Sequence, residues 1–175
     1  MTDEYKILFD AESVQQRVAD LAKQISADYA GGRLLCLVVL RGGFFFAADL
    51  IRQIDGVEIE LEFVKLQSYA GRQPSGHTRM LSQMPKVAGY DVLVIEDLVD
   101  TGLTLAQLHN GLKAQGPNSL RYAIVVDKKA HREVEFECEY VAFDYDGDEF
   151  LVGYGMDDHN KGRTLPYIGS ATKQD

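Results

Sequence analysis

Apolar positions along the chain follow two different rhythms. Between Ala11 and the pair Gly31–Gly32, the residues Val14, Val18, Leu21, Ala22 and Ile25 recur every three or four positions. That is the period of a helix with one buried face. Asp10 stands where a carboxylate can accept from the helix's first free N–H groups, and the two glycines end the run. The stretch RLLCLVVL (33–40) is continuously apolar instead, as a strand covered on both faces is. Residues 44–54 predict a second helix, and 57–69 alternate apolar with polar residues like a half-exposed strand. Residues 70–89 hold glycines, prolines and polar groups without a period and predict a long loop. The pattern closes with a strand over 91–95 and a helix from about Gly102 to Ala114, with Leu105, Leu108 and Leu112 inward. A strand over 119–127 and short strands in EYVAFDY and FLVGYG follow.

Strand and helix alternate through most of the length. This predicts one α/β domain over residues 1–175, with a mostly parallel central sheet, right-handed helical crossovers and helices on both faces. Ligands in such sheets bind at the carboxyl ends of the strands, so the residues just after each strand are the candidates for function.

Composition narrows the picture. The 175 residues suit a single core, and the formal net charge of −9 argues against broad nucleic-acid binding. Cys36 and Cys138 lie far apart, outside any metal-ligand spacing, and read as reduced thiols of a cytoplasmic protein. No run approaches the length of a membrane span, and the first ten residues lack a signal-peptide pattern.

The most informative stretch is EDLVDTGLT (96–104), which follows the apolar run VLVI. A helix beginning near Gly102 offers unpaired N–H groups at its first turn; Thr101 and Thr104 add hydroxyls, and Gly102 admits a ligand close to the backbone. This makes a cradle for one phosphate monoester. Glu96 and Asp97, expected to splay apart at the strand end, can accept from a vicinal diol and can draw in magnesium. A ribose 5-phosphate offers the matching pair of groups. Three acids beside one buried strand end repel each other and call for a ligand or cation.

The string closely resembles the phosphoribosyl-diphosphate (PRPP) signature of type I phosphoribosyltransferases, in the form found in hypoxanthine–guanine members. The resemblance covers nearly the whole chain and implies that family's fold, with a hood formed by terminal segments and a flexible lid over about 68–88. Glu96, Asp97, Asp100, Thr101, Gly102, Leu103 and Thr104 then bind the ribose phosphate of PRPP, with Asp100 as general base. In LRGG (40–43), Leu40, Arg41 and Gly42 match a diphosphate-binding loop that commonly holds a non-proline cis peptide, for which Leu40–Arg41 is the candidate. Arg163 matches an arginine that grips the diphosphate. Ser68 and Tyr69 match the opening of the lid. Lys128, in VVDKK, matches the lysine that donates to a purine 6-oxo group, with Lys129 beside it expected to be solvated. In DEFLVGYGMD (148–157), Phe150 matches the aromatic that stacks on the base. Leu151 matches a reader of the base edge, and Asp157 an acid that borders the purine site and joins Glu96 and Asp97 in holding magnesium.

The implied activity is transfer of ribose 5-phosphate from PRPP to hypoxanthine or guanine, releasing diphosphate, by a cytoplasmic homodimer or homotetramer with Mg2+ as cofactor and without nucleic-acid or membrane partners. The alternatives are a xanthine-preferring transferase and an RNA-binding regulator on the same fold. FDYDGDEF is one residue longer than the family spacing, and both it and DKKAHRE lack a frequent proline. These departures border the base pocket. His77, His109, His131 and His159 sit in no ligand spacing and are expected to take no catalytic part. The run Phe44–Phe46 is expected to pack the helix or meet another subunit.

Overall fold

The computed structural model describes residues 5–68, 78–80 and 82–171. In chain order the elements are β1 (Lys6–Phe9), α1 (Ala11–Asp28), β2 (Arg33–Leu40), α2 (Phe44–Ile51), β3 (Glu58–Ser68) and β4 (Thr78–Met80). There follow β5 (Asp91–Val99), α3 (Leu103–Lys113), β6 (Ser119–Lys128), β7 (Tyr140–Tyr145), β8 (Leu151–Val152) and β9 (Ile168–Ser170).

Asp10 caps α1 by accepting from the Ser13 N–H at 2.8 Å, and the five apolar residues predicted for its inner face are all buried. The central sheet has the order β4-β3-β2-β5-β6-β7. The five strands from β3 to β7 run parallel, and only β4 is antiparallel. Alternate residues of the central strands face opposite sides. Leu34, Cys36, Val38, Leu93 and Ile95 pack with α1 and α2, whereas Leu35, Leu37, Val39, Val92 and Val94 pack with α3. Both faces are covered, which is why these strands read as unbroken apolar runs. Among the described residues, no helix is long and apolar enough to cross a membrane. Cys36 and Cys138 are both free thiols.

A second sheet, ordered β1-β9-β8 and antiparallel, joins the two ends of the chain. It carries the hood. Its strands are too short to show a period in the sequence, and β1 and β9 escape prediction. The expected 70–89 loop also holds β4, paired with the end of β3. Tyr69 and the lid residues 70–77 and 81 lie outside the described residues, and Ser68 is described only as the last residue of β3. The three phenylalanines divide: Phe46 is buried, while Phe44 is 49% exposed; Leu61 and Phe63 of β3 are exposed as well.

Candidate active site

The sheet opens a cleft where the chain's direction of winding reverses. From β2 the chain crosses to β3 on one side; from β5 it crosses to β6 on the other. The pairing of β5 with β2 ends at Ile95–Val38, while its pairing with β6 continues to Val99–Asp127. From Glu96 onward β5 has therefore left β2. A cavity of about 580 Å³ occupies this carboxyl-end gap.

Glu96 and Asp97 do not follow the strand, as the sequence had led us to expect; they lie within it, because pairing with β6 extends β5 by four residues beyond Ile95. The Asp97 N–H donates to Glu96 Oε1 at 2.9 Å. Burial pushes the Glu96 carboxyl well above its usual range, with the Asp97 charge adding to the effect. Burial also raises Asp97, although its hydrogen bond with Glu96 and the nearby Arg163 pull the other way. Two adjacent carboxylates in so dry a place cannot both keep their charge easily without donors or a cation.

Asp100, Thr101, Gly102 and Thr104 line the same cavity. Gly102 caps α3 with φ +82°, and a Cβ there would also lie 2.8 Å from the Val134 carbonyl oxygen. Leu103 is not part of the lining; its N–H faces Thr101 Oγ1 at 3.4 Å, so its part in the cradle is confined to the backbone. The turn is strapped from behind. Arg132 Nε donates to the Asp100 carbonyl at 2.9 Å, and the N–H groups of Glu133 and Val134 donate to the Thr101 carbonyl at 3.0 and 3.1 Å. The Arg132 guanidinium is also paired with Asp127 at the end of β6.

Across the cleft, the Leu40–Arg41 peptide is cis, as the family resemblance implies. Leu40 and Gly42 line the cavity, whereas the Arg41 side chain is exposed and reaches Asn160 Oδ1 at 3.4 Å. Gly42 lies tight against Asp97: a Cβ there would come within 1.9 Å of Asp97 Oδ2.

The third wall comes from β6 and the hood. Lys128 is buried, with Nζ donating to the carbonyls of Asp148 (3.2 Å) and Glu149 (2.9 Å). These carbonyls belong to the lengthened loop after β7, closed by a hydrogen bond from Tyr145 Oη to Glu149 Oε2 at 2.5 Å. An ammonium has three N–H bonds, which leaves one for a ligand. Phe150 is 59% exposed at the rim, and Leu151 and Asp157 complete this side. Arg163 is not among the lining residues. It is paired with Asp157 and donates to the Gly155 carbonyl at 2.5 Å, while Asp157 Oδ2 also accepts from the Asn160 N–H at 2.7 Å.

Among the described residues, no three His, Cys, Asp or Glu side chains converge as a complete metal cage. The donors Glu96, Asp97 and Asp157 are all hard oxygens. They suit Mg2+, which usually takes one or two carboxylates and completes its shell with water and substrate phosphates.

Some residues were missed at the sequence level. Val39, Leu66, Leu98, Val99 and Met156 add apolar lining, and Arg132 holds the turn at Asp100. His131, set aside on spacing, has its Nδ1 3.5 Å from Asp100 Oδ1. Lys129 is ion-paired with Asp144 at 2.6 Å rather than simply solvated. His109 and His159 stay away from the cavity, against Tyr122 and Asp158 respectively. His77 lies outside the described residues.

The chain is similar to known proteins. Residues 4–159 match the model of the phosphoribosyl transferase domain. A hypoxanthine-guanine phosphoribosyltransferase of Streptococcus thermophilus is 39% identical over 166 residues, covering 94% of this chain and 91% of that protein. One of Dictyostelium discoideum is 37% identical over 174 residues, covering 97% and 96%. Among solved structures, a hypoxanthine phosphoribosyltransferase of Staphylococcus aureus superposes with a TM-score of 0.90 at 34% identity, covering 97% of this chain and 92% of that one.

Proposed function

The chain belongs to the phosphoribosyl transferase family, and we propose that it is a cytoplasmic purine-salvage enzyme that transfers ribose 5-phosphate from PRPP to hypoxanthine or guanine and releases diphosphate. The observation that carries this reading is the cavity at the β2/β5 reversal. It gathers an acid-rich strand end, a glycine-capped phosphate turn, a buried lysine and an exposed aromatic ring.

In this reading the first turn of α3 holds the 5-phosphate through backbone N–H groups and the hydroxyls of Thr101 and Thr104. Glu96 and Asp97 accept from the ribose diol, which relieves their crowding. The Leu40–Gly42 loop offers backbone donors to the diphosphate, and Arg163 exchanges Asp157 for it. Phe150 stacks on the base. The free N–H of Lys128 meets the 6-oxo group; an amino group there would set donor against donor, which disfavours adenine. Glu96, Asp97 and Asp157 would hold Mg2+, which would supply positive charge near the diphosphate.

The ribosyl carbon gains cationic character as its bond to the diphosphate breaks, with the electron pair leaving on the diphosphate. N9 of the base bonds to that carbon, and Asp100 takes the proton from N7. Catalysis then rests on placement and charge rather than on a covalent intermediate. The exposed apolar side chains of Phe44, Leu61 and Phe63 support self-association as a homodimer or homotetramer.

Incubation with Mg2+, PRPP and each of hypoxanthine, guanine, xanthine and adenine tests the proposal. IMP, GMP and stoichiometric diphosphate are expected; no product from any 6-oxopurine removes the enzyme reading. Asp100→Asn should keep PRPP affinity within about threefold while kcat falls by about 100-fold or more.

A further inference from the structure

The side chain of Asp100 presents an uneven pair of oxygens. Oδ1 is shielded from solvent and has no hydrogen-bond partner, yet the side chain as a whole is 40% exposed and borders the cavity. The exposed part is therefore Oδ2. A carboxylate that takes up a proton is poorly defined when its two oxygens can exchange places, and a donor fixed on one of them removes that freedom.

One such donor comes from the strap behind this turn. The Arg132 N–H bonds to the Lys129 carbonyl at 3.2 Å, closing a turn with His131 at its tip. From there the His131 Nδ1 stands 3.5 Å from Asp100 Oδ1. The three residues that follow His131 hold the main chain of Asp100 and Thr101 through the bonds already described. Arg132 in turn anchors the strap to Asp127 and to the Lys128 carbonyl. The imidazole is thus delivered to Asp100 by a segment already locked onto the same two residues. Its side chain is 52% exposed. Such contacts are commonly long before substrate binds and shorten afterwards.

We propose that His131 is a positioning residue for Asp100: its ring N–H holds the shielded oxygen Oδ1 and leaves Oδ2 aimed at the base to take its proton. This role rests on the assignment of Asp100 as the general base. It gives a function to a histidine that sequence spacing dismissed.

Steady-state kinetics on the full-length protein with Mg2+, PRPP and hypoxanthine test it. His131→Ala should lower kcat about tenfold, the worth of one hydrogen bond to a charged group. The KM for PRPP should stay within about twofold, and His131→Asn, whose amide keeps a donor, should recover most of the loss. The deciding measurement is the cycle with Asp100→Asn: His131→Ala should add nothing further in that background. Thermal unfolding of each variant reports whether folding is intact, and the exposed ring makes large losses unexpected. His131→Ala with wild-type kcat would overturn the proposal. So would the same fold-loss in the Asp100→Asn background, since a merely structural residue would act whether or not the carboxylate is present. Inactivity of the wild-type chain toward every 6-oxopurine would instead defeat the enzyme reading itself, a distinct result.

Discussion

Gly42→Ala isolates the contact between the two sides of the cleft. Alanine retains the backbone N–H offered to the diphosphate, so only a methyl group is added. That methyl would sit 1.9 Å from Asp97 Oδ2, 2.3 Å from its Cγ and 2.6 Å from Oδ1, whereas ordinary contact begins at 3.4 Å. The carboxylate must retreat by about 1.5 Å, into the cavity where the ribose is to bind. No positive φ is imposed at Gly42, so the fold bears only the overpacking, about 2 kcal/mol. For a chain of this size that lowers Tm by about 6 °C. Function should suffer far more, because a displacement of about 1 Å at a reacting centre costs about 100-fold. The expected result is a kcat/KM for PRPP reduced about 100-fold, with a cooperative unfolding transition preserved. Differential scanning calorimetry and a diphosphate-release assay on the same preparation measure both. A kcat/KM within threefold of wild type would refute the reasoning, because Asp97 would then tolerate displacement. Loss of the folded state would refute it too, since the cost would fall on the fold rather than on the carboxylate.

Other consequences concern the acids and the base site. Glu96 has a folded-state pKa raised above its ordinary value of 4.5 by burial and by Asp97. The folded protein therefore holds this proton more tightly than the unfolded chain. The resulting stability is fully present below pH 4.5 and is lost as pH rises through the raised value. In EDTA and without PRPP, wild-type Tm should fall as pH rises above 4.5, and Glu96→Gln should flatten that slope; parallel Tm–pH curves would contradict the assigned cause. Phe150→Ala removes an exposed ring, so Tm should change little, while KM for hypoxanthine rises roughly threefold to tenfold and KM for PRPP holds. An unchanged KM for the base would remove Phe150 from the site.

Much of the molecule was written in local pattern. Helical and strand periods are short-range properties, so α1, β2, α3 and β6 could be read from spacing and their buried residues named. The string from Glu96 to Thr104 was legible for a similar reason: it is contiguous, and backbone geometry alone brings a strand end to a helix start. Its chemistry was visible before its surroundings were. Tertiary structure decided the rest. Lys6–Phe9 becomes a strand only because Ile168–Ser170 pairs with it from the other end of the chain. Glu96 and Asp97 lie within β5 because β6 keeps pairing after β2 has stopped, and burial there, not sequence, raises their pKa values. Arg163 engages Asp157 through a fold of the hood. His131 meets Asp100 across 31 positions through a strap whose bonds are mostly to main-chain carbonyls. Such contacts leave no period and no motif, because a carbonyl has the same identity at every residue; only the path of the chain decides which one is reached.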